Sequence, residues 1–190
     1  MLKLNLRQIY NTQRLNIVAA KRNLTIKNIL FELNQSNFLN QIVSIYLPIK
    51  HKNEIDTTEI IALIKSKGGS VVVPKANFQT MEMKHYLLND RLHLETNKFG
   101  IPEPTNGEIV PNNHINVVII PLLIFDCFGH RVGYGKGFYD QFLAECNPSV
   151  LKIGLCDFSP VEKITDLLPT DIALDLCITP TKLYTFQKDA

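Results

Sequence analysis

The sequence predicts an α/β fold, with a mainly parallel central sheet, helices on both of its faces and a single compact domain over residues 1–190. Short β-branched runs alternate with segments of helical periodicity, which is the order expected when helices connect parallel strands. The chain has 190 residues, of which 45% are hydrophobic. That is enough apolar material for one well-formed core.

The first forty residues have helical periodicity. Apolar residues at Leu2, Leu6 and Ile9 recur near the helical period, with basic residues between them. We expect two helices in residues 1–40, with a break near residues 23–25. These helices should pack on an α/β core formed by residues 41–190.

Within the core, short β-branched runs predict strands, and amphipathic runs with capping residues predict helices. Residues 78–87 alternate weakly and predict an edge strand or hairpin, and residues 88–115 predict an irregular loop. The predicted strands are 42–47, 70–74, 117–120, 151–156 and 173–179, and the predicted helices are 57–67, 138–146 and 160–168.

Composition and charge disfavour several classes of protein. The net charge of +2 is too small to indicate nucleic-acid binding. The four cysteines form no C-x-x-C pair and the five histidines no H-x-x-x-H pair, which disfavours a zinc site or a disulfide framework. No apolar run approaches the length of a membrane span, and the N-terminus lacks the apolar core of a signal peptide. We therefore expect a cytoplasmic protein without nucleic-acid or membrane partners.

Residues 126–140 read D-C-F-G-H-R-V-G-Y-G-K-G-F-Y-D and follow a buried apolar run. The stretch is rich in glycine, as phosphate-binding loops are, but it matches neither common pattern. In the pattern G-x-x-x-x-G-K-[ST], the first glycine falls on His130 and the Ser/Thr position on Gly137. In the pattern G-x-G-x-x-G, the third glycine falls on Phe138.

The physical basis of phosphate loops still applies to this stretch. Three alternating glycines, Gly133, Gly135 and Gly137, let backbone N–H groups approach an oxyanion at the start of a helix. Arg131 and Lys136 lie within the stretch, and Asp140 ends it, where a carboxylate could hold a Mg²⁺ that bridges phosphate oxygens. A plain glycine-rich turn with solvated charges and a helix-capping acid remains the alternative.

The same stretch, extended back to Phe125, resembles the signature F-D-x-x-G-x-R-L-G-Y/R-G-G/K-G-Y/F-Y-D of the 5-formyltetrahydrofolate cyclo-ligase family. The resemblance spans nearly the whole chain. Its other parts, in family order, are Lys3-x-x-x-Arg7, Y-L-P-I at 46–49, N-E-I-D-T at 53–57, V-V-V-P-K at 71–75, F-G-I-P-E-P at 99–104 and L-P-T-D-I-A-L-D at 168–175.

The resemblance implies an ATP-dependent enzyme that cyclises 5-formyltetrahydrofolate to 5,10-methenyltetrahydrofolate and releases ADP and phosphate through a phosphorylated formyl intermediate. N10 of the folate would be the nucleophile, so the protein needs no Ser-His or Cys-His pair. The implied ligands are 5-formyltetrahydrofolate, ATP as co-substrate and Mg²⁺, and the implied state is a monomer.

The resemblance also implies site residues. The implied catalytic residues are Arg131, Lys136 and Tyr139, and the implied metal ligands are Asp140 and Asp171. The implied ATP-binding residues are Lys3, Arg7, Arg131, Val132, Gly133, Tyr134, Gly135, Lys136, Gly137, Phe138 and Tyr139. The implied folate-binding residues are Leu47, Glu54, Phe99, Tyr134, Gly135, Lys136, Gly137 and Phe138.

Several of these residues have ordinary structural explanations without the resemblance. Lys3 and Arg7 share a helical face and would form a solvated basic surface. Asp171 would be a cap or turn residue, and Glu54 a surface acid before a helix. The link that precedes Glu54, residues 50–53, is also longer than is usual in the family.

Two rival functions are open at this point. One is a module that binds a nucleotide or folate without turnover, although the joint retention of Arg131, Lys136, Asp140 and Glu54 disfavours it. The other is a different activity on a similar α/β scaffold, such as a sugar-phosphate isomerase or an acyl-transfer protein. The Lys3 and Arg7 pair and the E-I-D-T element disfavour that activity.

Overall fold

The computed structural model describes residues 1–186. Four α-helices are present in this range: α1 (Lys3–Leu15), α2 (Ala19–Asn34), α3 (Thr58–Ser66) and α4 (Phe138–Glu145). Two single 3₁₀ turns lie at Lys50–Lys52 and Asn112–His114. None of the helices within residues 1–186 combines the length and the apolar character that crossing a bilayer requires.

Eight of the twelve strands in the described residues form one sheet. The strands are β1 (Ile42–Ile45), β2 (Ser70–Ala76), β3 (Met83–Leu87), β4 (Leu94–Thr96), β5 (Pro102–Pro104), β6 (Ile109–Val110), β7 (Val117–Pro121), β8 (Ile124–Phe125), β9 (Arg131–Val132), β10 (Leu151–Leu155), β11 (Leu176–Ile178) and β12 (Leu183–Thr185). The order of the large sheet is β12-β11-β10-β7-β1-β2-β3-β6. Its five inner strands are parallel, and β12, β3 and β6 add antiparallel edges. The predicted fold class is confirmed.

The core lies on both faces of the sheet, and β7 shows why. Val118 and Ile120 point into one apolar cluster, which also contains Leu6 of α1 and Phe142 of α4. Val117 and Ile119 point into the other cluster, which includes buried residues of α2 and α3. A strand that is covered on both faces is apolar at every position, which explains the continuous hydrophobic run before the glycine-rich stretch.

The predicted break between the N-terminal helices is wrong in position. The helices separate at residues 16–18, and residues 23–25 lie inside α2. Arg22 donates from Nη1 to both carboxylate oxygens of Asp157 at 2.7 Å, and Thr25 Oγ1 donates to Oδ1 of the same residue at 3.2 Å. These buried tertiary contacts stabilise helix where the local sequence indicated a break.

The predicted helix over residues 160–168 is also wrong. The backbone of Val161 pairs instead with Phe125 and Cys127, and Ile164 N–H donates to the buried carboxylate of Asp126 at 3.0 Å. These long-range partners hold the segment as irregular chain. The short ribbon of β8 and β9, the strands β4 to β6 and the final strand β12 were not predicted, because each contains only two or three residues and no periodicity is visible at that length.

His85 of β3 is a fully buried histidine. Its ring lies 4.2 Å from the Phe142 ring, centroid to centroid, and its Nδ1 lies 3.0 Å from Asn112 Oδ1. Asn112 Nδ2 donates to Met83 O and to Glu145 Oε2, so Asn112 Oδ1 is the acceptor and His85 Nδ1 carries the proton. Burial outweighs this hydrogen bond and lowers the pKa of His85 from 6.5 to about 4.

We expect His85 to make the folded state less stable in mild acid. Between pH 6.5 and 4 the unfolded chain binds the proton more readily than the folded chain, so the free energy of unfolding falls as the pH falls through this window. The residue should account for a loss of about 2 to 3 kcal/mol between about pH 7.5 and about pH 4.5. Urea unfolding at several pH values, compared with His85→Gln, measures this contribution. The exposed His93→Gln is the control, and an equal pH slope in wild type and His85→Gln would contradict the prediction.

Candidate active site

A large cavity opens at the carboxyl edge of the central sheet. Residues at or just beyond the ends of three parallel strands line it: Tyr46 after β1, Ala76 of β2 and Pro121 of β7. This edge is where open α/β sheets bind ligands. The cavity volume is about 1720 Å³. Single small-molecule sites usually measure roughly 300–1,000 Å³, so this cavity has room for two ligands.

The cavity brings together all but one of the predicted site residues. The residues that line it are Lys3, Arg7, Leu47, Glu54, Phe99, Arg131, Gly133, Tyr134, Gly135, Lys136, Gly137, Phe138, Tyr139, Asp140 and Asp171. Val132 is the exception. Its side chain lies in the apolar core and its carbonyl accepts from Leu123 N–H, so the side chain does not line the cavity.

The glycine-rich loop joins β9 to α4 and folds around the side chain of Arg7. Arg7 Nε donates to Gly133 O at 2.9 Å. A Cβ on Gly135 would lie 2.8 Å from the Arg7 guanidinium carbon, and Gly135 has a φ of +79°. Gly137, with a φ of +77°, is the N-cap of α4. The loop therefore needs glycine at position 135 both for its backbone conformation and for the close approach of Arg7.

Gly135→Ala is expected to destabilise the protein and to distort the loop around Arg7. A left-handed backbone costs a residue with a Cβ about 1–2 kcal/mol, and the new methyl group would displace the Arg7 guanidinium. We expect a fall in melting temperature of about 3–6 °C. Gly133→Ala is the control for folding, because its φ is ordinary and no atom lies within 4 Å of the added Cβ. Equal melting temperatures for the two variants would contradict the prediction.

Two of the cavity's cations that lack a carboxylate partner within the described part of the chain lie at the glycine-rich loop. Arg7 and Lys136 make no ion pair there, and Lys136 is exposed on the glycine-rich loop. Both lie beside the N-terminus of α4, which attracts anions. This end of the cavity is suited to a polyanion such as a triphosphate.

Arg131 is held by protein groups in this conformation. Its Nη2 donates to Asp140 Oδ1 at 2.7 Å, and its Nη1 donates to Ile172 O. Ile172 N–H also donates to Asp140 Oδ1, at 3.1 Å, so Arg131, Asp140 and Ile172 form a closed ring of hydrogen bonds. Arg131 therefore ties the first turn of α4 to the loop that contains Asp171, and its predicted catalytic role stays a prediction.

The two predicted metal ligands each have a cationic partner. Asp140 pairs with Arg131 and Asp171 with Lys3. Burial opposes ionisation of Asp171, but the hydrogen bonds from Lys3 and Leu168 N–H outweigh it and hold the pKa of Asp171 below its usual value. No group of three or more metal-ligating side chains occurs in residues 1–186. Two carboxylates in one cavity fit a Mg²⁺ that takes its remaining ligands from phosphate oxygens and water.

Glu54 and Tyr134 form a polar unit on another wall of the cavity. Tyr134 donates its hydroxyl proton to Glu54 Oε1 at 2.5 Å, and Ile49 N–H donates to Glu54 Oε2 at 2.7 Å. Lys52 Nζ lies 4.4 Å from the centroid of the Tyr134 ring. Burial, followed by the Glu54 charge, raises the pKa of Tyr134, so the phenol keeps its proton. Glu54 is thus an oriented pair of acceptors.

Three aromatic side chains form a wall that the sequence only partly indicated. Phe78 lies 5.3 Å from Phe99 and 5.0 Å from Phe138, centroid to centroid. Phe78 and Phe99 are 45% and 49% exposed, and both line the cavity. Phe78 was not predicted. Its only sequence signal is that it opens the weakly alternating segment of residues 78–87.

The structure also adds Arg14, whose Nη2 donates to the Tyr134 hydroxyl at 2.6 Å. Arg14 lies two turns after Arg7 on α1, and residues seven apart share a helical face. That spacing was the available signal, but it could not distinguish a buried arginine from a solvated one.

Comparisons with protein families, curated proteins and solved structures all find the same kind of enzyme. The model of the 5-formyltetrahydrofolate cyclo-ligase family matches residues 2–180. A solved structure of 5,10-methenyltetrahydrofolate synthetase from Aquifex aeolicus superposes with a TM-score of 0.81 at 27% identity, covering 100% of this chain and 95% of the other.

Curated relatives match over shorter segments. A 5-formyltetrahydrofolate cyclo-ligase of Mycoplasma genitalium is 44% identical over 77 residues, which are 40% of this chain and 45% of the relative. One from Haemophilus influenzae is 34% identical over 122 residues, 60% of this chain and 64% of the relative. The aligned segments thus span less than two thirds of either relative.

Proposed function

The chain belongs to the 5-formyltetrahydrofolate cyclo-ligase family, and from that membership we propose that it converts 5-formyltetrahydrofolate to 5,10-methenyltetrahydrofolate while ATP is cleaved to ADP and phosphate. The main supporting observation is the cavity itself. It combines a glycine-rich loop with the unpaired cations Arg7 and Lys136 and an oriented carboxylate at Glu54. One part suits a triphosphate, and the other suits the N–H donors of a folate ring.

The proposed reaction proceeds in two steps. The formyl oxygen attacks the γ-phosphorus of ATP, the bond to the β,γ-bridging oxygen breaks, and ADP leaves with that electron pair. N10 of the folate then adds to the formyl carbon and loses its proton, and phosphate leaves with the C–O bonding pair. The product is the N5,N10-methenyl ring, and the protein contributes alignment and charge stabilisation.

The loop residues have distinct roles in this proposal. Lys136 and Arg7 stabilise the negative charge that shifts from the γ-phosphoryl group toward ADP. Tyr139 lies at the start of α4, where burial and the Glu54 charge raise its pKa and keep its hydroxyl protonated. It can therefore donate a hydrogen bond to the phosphoryl oxygens. Arg131 supports the site by holding Asp140 next to the loop at residues 168–172.

The folate is proposed to bind between Glu54 and the aromatic wall. Glu54 accepts from the pterin, Leu47 supplies an apolar contact, and Phe99 stacks with the substrate. The wall formed by Phe78, Phe99 and Phe138 also excludes water from the reacting phosphoryl group, which favours transfer to the formyl oxygen over hydrolysis.

Mg²⁺ is proposed to enter with ATP and to be held by Asp140 and Asp171. When bound, the ion neutralises charge on the phosphate oxygens. Lys3 would then exchange its contact with Asp171 for the triphosphate. We further propose that the protein acts in the cytoplasm as a monomer, without nucleic-acid or membrane partners, in keeping with its small net charge of +2.

A direct assay tests this function. The purified protein is mixed with 5-formyltetrahydrofolate and MgATP, and the near-ultraviolet absorbance of the methenyl product is followed together with ADP release. We expect both signals to rise with equal stoichiometry. Binding of both ligands without product would favour a non-catalytic module, and ADP release without methenyl product would contradict the proposed acceptor.

A further inference from the structure

Arg14 is a buried cation behind the wall of the cavity. Its side chain leaves the last turn of α1, and the residue is only 4% exposed. It makes no ion pair among the described residues, and its Nε is buried without a hydrogen-bond partner. The side-chain contact that compensates is the bond from Nη2 to the Tyr134 hydroxyl at 2.6 Å. Burying a guanidinium with one side-chain hydrogen bond is costly, and the buried carboxylate of Asp157 offsets that cost only through its charge, without an ion pair.

The contact sets the direction of the Tyr134 proton. A guanidinium can only donate, so the Tyr134 oxygen must accept from Arg14. The single phenolic proton is then left for Glu54 Oε1, 2.5 Å away. Arg14 thus fixes the position of the phenolic oxygen while its proton binds Glu54.

The residue before Glu54 is also hydrogen-bonded to the last turn of α1. Asn53, directly before Glu54, has a left-handed backbone with a φ of +50°. Its Nδ2 donates to Arg14 O at 2.8 Å and to Ile17 O at 3.3 Å, and Arg22 Nη2 donates to Asn53 O at 2.5 Å. The C-terminal end of α1 therefore constrains Glu54 through its backbone as well as through Tyr134.

We propose that Arg14 is a positioning residue for folate recognition, acting through Tyr134 to hold Glu54 as a two-oxygen acceptor. Tyr134 and Ile49 N–H each occupy one site on a different oxygen, which leaves a further lone pair on each for the ligand. Such a pair matches a ring edge that presents two adjacent N–H donors, as a pterin does. The inference rests on the proposed function, because it takes the ligand of Glu54 to be a folate.

A double-mutant cycle tests the inference on the full-length protein. The dissociation constants of 5-formyltetrahydrofolate and of a non-hydrolysable ATP analogue are measured for wild type, Arg14→Met, Glu54→Gln and the double variant. Arg14→Met should weaken folate binding about tenfold or more, and should change the affinity for the ATP analogue by less than about twofold. In the Glu54→Gln background, Arg14→Met should add less than about twofold. Arg14→Lys keeps a donor and should restore part of the folate affinity.

The cycle has outcomes that overturn the inference. Equal losses from Arg14→Met in both backgrounds would mean that Arg14 does not act through Glu54. Equal losses for folate and the ATP analogue would mean general damage to the fold. Arg91→Met, at an exposed position, is the control for replacing an arginine. If Arg14→Met does not fold, Tyr134→Phe removes the same proton from Glu54 and must show the same coupling to Glu54→Gln in folate binding.

The proposed function and this inference can fail separately. Wild-type protein that binds folate through Glu54 without forming product would contradict the function and leave the inference standing. Normal turnover together with full folate affinity in Arg14→Met would overturn the inference alone. Absence of folate binding by wild type would overturn both.

Discussion

Replacing Lys136 by methionine is expected to lower kcat for methenyl formation by about 1,000-fold. The side chain is exposed on the glycine-rich loop, between two glycines with left-handed backbones. It has no carboxylate partner within residues 1–186, so its charge is available to a ligand. Removing one preorganised charge from a phosphoryl-transfer site costs roughly 10²–10³ in kcat, and methionine keeps the length of the side chain without its charge.

The measurement is a steady-state assay at saturating folate and MgATP, with melting temperatures recorded for each variant. Lys65→Met is the matched control, because Lys65 is exposed on α3 and does not line the cavity. We expect both variants to melt within about 2 °C of wild type, since exposed substitutions change stability little. A kcat for Lys136→Met within about threefold of wild type would remove Lys136 from the catalytic group.

Asp140→Asn is expected to lower kcat by about 100-fold and to shift the Mg²⁺ requirement to higher concentration. Asparagine retains an oxygen for the bonds from Ile172 N–H and Arg131, but it removes the negative charge. Mg²⁺ prefers carboxylate oxygens, so the amide should weaken the binding of Mg²⁺ in the complex with ATP and folate. The loss of the Arg131 ion pair should also destabilise the fold by about 1–2 kcal/mol.

Titration of activity with Mg²⁺ at fixed ATP separates the two roles of Asp140. If Asp140 binds the ion, the half-saturating Mg²⁺ concentration rises in Asp140→Asn, and part of the rate returns at high Mg²⁺. If Asp140 only anchors Arg131, that concentration is unchanged and the activity loss follows the fraction unfolded. Arg131→Lys is the companion variant, because it changes the same ion pair while leaving the carboxylate in place.

The fold class was predictable because its signals are local and repeated. The inner strands are short, mostly apolar runs, and each helix has apolar residues that pack on one face of the sheet. The wrong predictions concern segments whose conformation depends on partners that are distant in the sequence. Residues 22–25 are helical because Arg22 and Thr25 bind Asp157, and the segment near Ile164 is irregular because Asp126 binds its backbone.

The candidate site also has residues that the sequence predicted and residues that only the structure revealed. Gly135, Lys136 and Asp140 are close in sequence, so their spacing alone predicted a phosphate loop, with a plain glycine-rich turn as the alternative. Arg14 and Phe78 could not be found in this way. Each becomes part of the site only through a contact with a residue at least 21 positions away, Tyr134 for the arginine and Phe99 for the phenylalanine.

The α/β architecture, the glycine-rich loop and most polar groups of the cavity follow from the amino-acid sequence, because periodicity, backbone freedom and charge belong to residues and their neighbours. The pairing of those groups depends on the three-dimensional fold. The fold left Arg7 and Lys136 without carboxylate partners among residues 1–186, joined Arg131 to Asp140 and Lys3 to Asp171, and placed Arg14 behind Tyr134. The physical reason is that ion pairs and buried hydrogen bonds depend on distances of a few ångströms between distant parts of the chain, which sequence spacing does not specify.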